Sequence, residues 1–219
     1  MPAPSRCAYP VAHDAEPPFP TPRRGDYGAA GPLEQVAISG MTAQGYATPT
    51  DDQATWRDAS PPPGRLPLHM VAFLQGGVAP ILGVRGVDGR PLVGSAAACR
   101  VREAMVVRLF LDRARNAPLL LAVRAGSAIA ATFSSARDHR SIQLKAPSAL
   151  VGDPEPEDLP EITRQCVILS DELMDLGYTR AQALAYVAFD PACLAVVEFQ
   201  PDRVFTQTPG PGAGAELRR

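Results

Sequence analysis

The sequence has few aromatic residues, little net charge and no long apolar run, and each absence excludes a class of function. Aromatic residues make up 6% of the 219 residues, with a single Trp, and the formal net charge is −2. Single-strand nucleic-acid binders stack bases on aromatic platforms and carry basic grooves. No apolar run approaches the roughly 18 residues of a membrane-spanning helix. We therefore expect neither a nucleic-acid partner nor a membrane.

Signatures of metal and nucleotide sites are missing as well. The four cysteines form no CxxC pair and the three histidines are scattered, so we expect no metal site. No Walker loop, HExxH or GxSxG occurs, and no GxGxxG follows a strand pattern. The first residues lack the basic and apolar regions of a secretory signal. These absences predict a cytoplasmic protein without a metal.

Proline, by contrast, is abundant near the N-terminus. Residues 1–65 hold 12 of the 24 prolines and show little periodic apolar pattern. Such a segment buries too little apolar surface to offset its ordering entropy. The composition predicts a disordered or extended N-terminal arm over residues 1–65 and a folded domain over residues 66–219. On this interpretation, deleting residues 1–60 leaves the melting temperature nearly unchanged.

Periodicity within residues 66–219 predicts helix, three strands, helix, two strands, helices and a last strand. Met70, Phe73 and Leu74 recur at helical spacing. Asp88-Gly89 lies between two apolar segments and predicts a tight hairpin turn. Strands connected mostly as hairpins favour an antiparallel α+β barrel over a doubly wound parallel sheet.

The stretch IAATFSSARDHRSIQLKA, residues 129–146, predicts two strands joined by a polar elbow. Side chains alternate along a strand, so Arg140, Ile142 and Leu144 share one side while Ser141, Gln143 and Lys145 share the other. We expect the two apolar residues to face the interior. The three polar side chains then face outward, where they form either a solvated surface or a place for a ligand or partner subunit.

The positions of four arginines provide a second indication of a ligand site. Arg100 and Arg102 follow the second predicted strand, and Arg113 and Arg115 precede a predicted helix. Guanidinium groups beside the unpaired N–H groups of a helix start suit a phosphate. Solvated loop charges are the alternative interpretation of the same pattern.

Three segments together resemble the pyridoxamine 5′-phosphate oxidase-like family, the FMN-binding split barrels, and in particular an uncharacterised bacterial branch. They are GRPLVGSAAACRV, AMVVRLFLDRARNAPLLLAVRAGSAIAATFSSARDHRSIQLKA and VFTQTPGPGAG. The resemblance covers roughly residue 66 to the C-terminus. It implies a six-stranded antiparallel split β-barrel with flanking helices, and a homodimer that holds FMN in clefts between the subunits. It also implies an oxidoreductase that acts on a small-molecule substrate.

The resemblance also assigns residues to the cofactor. It places Arg113 and Arg115 at the phosphate, with Arg100 assisting. It places Ser95, Arg140 and Ser141 at the oxygens of the flavin ring or ribityl chain. Gly94 stands where the family has its first Arg. The cofactor-binding residues implied in this way are Ser95, Arg100, Arg113, Arg115, Arg140 and Ser141.

The sequence identifies neither the catalytic group nor the exact ligand. No general acid or base is assigned; His139 comes nearest to one. The family's Arg-x-His for substrate binding has no counterpart in FTQTPGPGAGAELRR, so vitamin B6 oxidation is not expected. The alternatives are a non-catalytic dimeric module that holds a flavin, a deazaflavin or haem, and a scaffold with an empty cleft.

Overall fold

The computed structural model describes residues 47–218, which form an α+β fold with an antiparallel sheet of eight strands and five α-helices. Two short 3₁₀ turns accompany them, at Pro156–Asp158 and Pro191–Cys193. The helices are α1 Pro49–Ala59, α2 Leu68–Leu74, α3 Ala117–Arg124, α4 Leu159–Asp175 and α5 Arg180–Val187. The strands are β1 Ala79–Arg85, β2 Pro91–Arg102, β3 Val106–Asp112, β4 Ile129–Ser134, β5 Ser141–Ala146, β6 Leu150–Gly152, β7 Leu194–Phe199 and β8 Arg203–Thr206.

The strand order across the sheet is β6-β7-β3-β2-β1-β4-β5-β8, and every pair is antiparallel. Strand β2 is the longest and joins the two halves of the sheet. Its pairing with β3 shifts between Ala96 and Ala98, which marks a β-bulge. A bulge bends its strand and re-aims the side chains that follow. Here Cys99 joins the interior, while Ala98 faces the outer helix α4.

The sheet curls around one hydrophobic core. That core takes inward-facing residues from both halves of the sheet, including Leu109 of β3, Phe133 of β4 and Leu144 of β5. Helix α3 contacts both β1 and β6, although four steps of the strand order separate them. A flat sheet would hold these strands roughly 19 Å apart. The contacts therefore show a strongly curved sheet closed at one end by α3.

One outer surface of the sheet is covered and another is not. Helix α4 packs its Ile162 and Cys166 against the outer side of β2, β3 and β7. Among residues 47–218, no comparable layer covers the outer side of β1, β4 and the first half of β2, where Val93 is 72% and Ile81 43% exposed. We call this surface the open face. Its residues are Ile81, Gly83, Val93, Ser95, Ala130, Thr132 and Gln143.

Several local predictions are confirmed. Gly89 adopts φ +84° in the turn between β1 and β2. The two strands around the polar elbow pair as expected, with Ser134 opposite Ser141. Ile142 and Leu144 are fully buried in the core. Turn chemistry and two-residue alternation are local signals, so the sequence carries them directly.

The predicted disordered or extended N-terminal arm is not confirmed, because residues 47–65 include a helix, and the remaining residues, 1–46, lie outside the described part of the chain. Residues 49–59 form helix α1, which begins with a capping box between Thr48 and Asp51. Pro49 fits the first helical turn because no N–H is needed there. Asp52 and Trp56 are buried. The high proline content therefore led to the prediction of an unfolded segment where the chain forms a capped helix that packs on the domain.

The sequence resemblance implies six strands, whereas residues 47–218 contain eight. The additional strands are β6, of three residues, and β8, of four, which pair with β7 and β5. Strands this short have too few residues to show alternation, and they form because a partner strand offers hydrogen bonds. In the same range, no helix combines the length and apolar character needed to cross a membrane.

Candidate functional site

A row of side chains crosses the open face perpendicular to the strands. Ile81 pairs with Ser95 on one side and with Thr132 on the other, and Thr132 pairs with Gln143. Directly opposed residues share a face of the sheet, so the row extends over four strands, about 14 Å. The Gln143 amide donates to Thr132 Oγ1 at 3.0 Å. The row thus presents oriented polar groups on either side of an apolar residue.

Small residues make the neighbouring part of the open face flat. Gly83 pairs with Val93 on β2 and with Ala130 on β4. A Cβ at Gly83 would meet only the carbonyl oxygen of Ala130, at 3.7 Å, so the fold itself does not require glycine there. The missing side chain leaves a shallow strip of backbone. A planar ring could lie on this strip with the polar row at its edge.

The polar elbow, residues 135–140, meets the C-terminal loop, residues 207–214. The hydroxyl of Ser141 donates to Ser134 Oγ at 2.7 Å. The backbone N–H of Ser141 donates to Thr208 Oγ1 at 3.0 Å, and its carbonyl accepts from the backbone N–H of Gln207 at 2.7 Å. These hydrogen bonds therefore hold the C-terminal loop beside the first residue of β5.

Beneath this junction lies a buried carboxylate. Asp52 of α1 is 3% exposed, and its Oδ2 accepts from the hydroxyls of Thr206 and Thr208, both at 2.7 Å. Its Oδ1 accepts from Arg140 Nε at 2.8 Å. The Arg140 guanidinium also lies over the ring of Phe73, 4.8 Å from its centroid. Asp52 therefore joins α1, β8, the C-terminal loop and the elbow.

Helix α2 contributes an imidazole to the same junction. His69 precedes Phe73 by four residues, so the two side chains share one side of the helix. Burial lowers the pKa of His69, and the nearby Arg140 charge lowers it further, while Asp52 partly opposes both effects. The imidazole is therefore neutral around pH 7.

The loop between β3 and α3 holds two of the expected phosphate ligands. Leu111 at the end of β3 pairs with Ala96, which brings this loop beside Ser95. Arg113 Nη2 donates to the carbonyl of Leu194 at 3.0 Å and contacts the carboxylate of Asp153. Arg115 is exposed. The charge of Arg113 is thus already paired within the chain.

Gly94 explains one departure from the resembled pattern. Its Cα faces inward, and an added Cβ would lie 2.0 Å from Asn116 Oδ1 and 3.0 Å from Leu119 Cδ1. The Asn116 side chain is fixed there because its amide donates to the carbonyl of Asp112 at 2.8 Å. No arginine can occupy this position in the present packing.

Arg100 lies apart from the other expected ligands, on the side of β2 that faces α4. Its Nη1 donates to Asp158 at 2.8 Å, and Arg108 binds both oxygens of the same carboxylate. Burial alone would raise the pKa of Asp158, but the backbone N–H of Glu155 and the two guanidinium groups outweigh it and hold that pKa below its usual value. The arrangement is typical of a structural ion-pair cluster.

The structure thus distributes the six expected residues over three places. Arg140 and Ser141 lie at the elbow, Ser95 lies on the open face with the β3–α3 loop beside it, and Arg100 belongs to the α4 cluster. Sequence reasoning missed Asp52, His69, Thr206 at the end of β8 and Thr208 of the C-terminal loop. The capping-box pattern before residue 52 was the available signal for α1. Within residues 47–218, no group of three or more His, Cys, Asp or Glu side chains could hold a metal ion.

No protein-family model matches the chain, and no curated protein is similar enough to count as a relative. Solved structures similar to the chain include pyridoxamine 5′-phosphate oxidase-like proteins. One is a pyridoxamine 5′-phosphate oxidase-related, FMN-binding protein from Nostoc punctiforme, at 10% identity and TM-score 0.40, covering 70% of this chain and 88% of that one. Another is an F420 reductase, at 15% identity and TM-score 0.40, covering 61% and 93%. At this level of similarity the ligands of those proteins do not carry over to this chain.

Proposed function

We propose that the protein is a flavin-binding split-barrel protein that binds FMN on the open face and works as a homodimeric oxidoreductase on a small molecule. The observation that carries the proposal is the open face itself. It combines a flat strip at Gly83 and Ala130 with the polar row of Ser95, Thr132 and Gln143. The sequence resemblance implies a cofactor held in a cleft between subunits, and a sheet surface left uncovered by the described residues supports placing that cleft here.

The residues of the open face fit the ring of a flavin. The strip accepts a planar tricyclic ring against strand backbone, and an aliphatic wall stands beside it at Ile81 and Val93. The hydroxyls and the amide of the polar row can donate to and accept from the ring oxygens and nitrogens. Because Gln143 is held by its bond to Thr132, its remaining groups point in a fixed direction.

The phosphate of FMN has two possible contacts near this surface. The first is the β3–α3 loop, where Arg115 and the helix start would supply donors. The second is the elbow, where Arg140 lies beside Ser141. Arg113 would have to share its charge with Asp153, so we assign it a supporting role. Arg100 is bound to the buried Asp158 and contributes only through the fold.

A second copy of the chain would complete the site. The exposed aliphatic residues Ile81 and Val93 favour burial against another apolar surface. A subunit placed over the open face would cover one side of the ring and exclude water from it. Homodimerisation and flavin binding therefore belong to one proposal.

The flavin supplies hydride or electron transfer, and the chain supplies position and electrostatics. The seven residues of the open face include no carboxylate, imidazole or thiol. Lys145 pairs with Ala130 and therefore adds an amine on the same side of the sheet. The scarcity of acid–base groups among the seven residues fits a reaction carried by the cofactor. The same feature supports a second candidate, a non-catalytic flavin or deazaflavin module. Haem fits less well because its iron needs an axial ligand such as His, Cys, Met or Tyr.

The test uses a leucine at Gly83. The added side chain is compatible with the fold but fills the flat strip, so we expect Gly83→Leu to lose FMN binding while its melting temperature stays near that of the parent. Gly152→Leu is the matched control, since nothing lies within 4 Å of a Cβ there. FMN binding is measured by quenching of flavin fluorescence. Equal FMN affinity in parent, variant and control would refute the site.

A reduction assay separates the two candidates. NAD(P)H is added anaerobically to the FMN-loaded protein, and flavin absorbance is followed over time. Rapid bleaching supports the oxidoreductase. A spectrum that persists for hours supports the non-catalytic module.

A further inference from the structure

Arg140 is fixed at one end of its guanidinium group and open at the other. Its Nε donates to Asp52, and its ring contact is with Phe73. Among residues 47–218, no side chain or carbonyl accepts a hydrogen bond from its Nη1 or Nη2. The side chain keeps 21% of its surface exposed, so these two groups are not sealed in the core.

This arrangement differs from those of the other arginines near the open face. Arg113 has its Nη2 bound to a carbonyl and a carboxylate, and Arg137 of the elbow pairs with Asp175 on the surface. Arg140 alone among these three has its charge anchored through Nε, so that the paired Nη groups stay available. Two parallel N–H donors match the two oxygens of a carboxylate or phosphate.

A second donor stands beside it. His69 and Phe73 are four residues apart on α2, and side chains at that spacing lie about 5–6 Å apart at Cβ. Since Phe73 lies under the guanidinium, the imidazole of His69 is next to the same group. Neutral imidazole offers one N–H donor, and an anion bound nearby would favour its protonated form, which offers two.

We propose that Arg140 and His69 form a receptor for an anionic group, a carboxylate or phosphate, and that Asp52 and Phe73 are its positioning residues. Asp52 fixes the guanidinium through Nε and is itself held by Thr206 and Thr208. The receptor lies at the elbow, next to Ser141. If its ligand is the phosphate of FMN, it rests on the proposed function; if its ligand is the anionic group of a substrate, it stands without the flavin.

Inorganic phosphate is the probe for this receptor. Calorimetry at constant ionic strength should show saturable phosphate binding to the full chain, with a parallel shift of the His69 ring resonances in NMR spectra. We expect Arg140→Lys to weaken that binding roughly 10- to 100-fold, because the fork of two donors is lost. Arg137→Lys is the matched control on the same elbow and should bind phosphate like the parent.

His69→Gln provides a test that leaves the Asp52–Arg140 pair intact. It should weaken phosphate binding severalfold while the melting temperature stays unchanged, a pattern that a purely structural role would not give. Absence of phosphate binding to the parent would overturn the receptor. So would equal phosphate affinity in the parent, Arg140→Lys and His69→Gln.

Riboflavin and FMN distinguish the source of the anion. If the receptor takes the cofactor's phosphate, Arg140→Lys weakens FMN binding but not riboflavin binding. If the receptor takes the anionic group of a substrate, both flavins bind to Arg140→Lys as they bind to the parent, while free phosphate binds to the variant more weakly. A failure of the flavin proposal would appear instead as FMN binding that is insensitive to Gly83→Leu, with the phosphate results unchanged.

Discussion

Replacing Asp52 by Asn removes the one buried charge that links α1 to the rest of the domain. The carboxylate accepts from Thr206, Thr208 and Arg140, and it is 3% exposed. Asparagine has one acceptor oxygen where aspartate has two, so its amide N–H groups would face either both threonine hydroxyls or the Nε–H of Arg140. The Arg140 guanidinium would lose its counter-ion in a mostly buried place.

The expected cost follows from this one-sided loss. Removing one partner of a buried ion pair costs about 3–5 kcal/mol, and the partial exposure of Arg140 favours the lower end. About 3 kcal/mol corresponds to a fall of roughly 6–12 °C in melting temperature for a domain of this size. Urea denaturation and calorimetry measure the two quantities independently.

Asp58→Asn is the matched control. Asp58 lies on the same helix but is exposed, so the same loss of charge should change stability by no more than about 0.5 kcal/mol. Combining Asp52→Asn with Arg140→Gln should cost less than the sum of the two single changes, because the unpaired guanidinium is gone. An Asp52→Asn protein as stable as Asp58→Asn would refute the role given to the buried carboxylate.

Three further expectations concern other parts of the domain. Gly94→Ala should cost about 1–3 kcal/mol in urea denaturation, because its Cβ would lie 2.0 Å from Asn116 Oδ1; a smaller loss would mean that this amide moves freely. The lowered pKa of Asp158 contributes stability that is complete above the usual pKa of 3.8 and is lost as the pH falls below it, so Asp158→Asn should flatten the acid side of the melting-temperature profile. An unchanged acid profile would exclude that contribution. Deleting residues 1–60 should lower the melting temperature well below that of a protein lacking residues 1–46, because only the longer deletion removes α1; equal values would show that α1 adds no stability.

The parts of the fold that the sequence predicted correctly rest on signals within a few residues. The turn at Asp88-Gly89 and the strand pair of residues 129–146 are read from local conformation and alternation. Strands β6 and β8 could not be found in this way, since three or four residues become a strand only when a partner is present. Helix α1 had a local signal in its capping box, but the high proline content of residues 1–65 favoured the prediction of a disordered or extended arm.

The candidate site shows the same limit. Arginine positions are visible in the sequence, whereas the carboxylates opposite them are distant along the chain. Arg140 is 88 residues from Asp52, and Arg100 is 58 residues from Asp158. Which guanidinium groups are neutralised and which keep donors available is therefore a property of the folded chain.

Native mass spectrometry of the purified protein with FMN added tests flavin binding between two subunits most directly. We expect the mass of two chains together with two FMN molecules, and the loss of both FMN molecules in Gly83→Leu. A single chain without bound FMN, under conditions where the protein is folded, would contradict it.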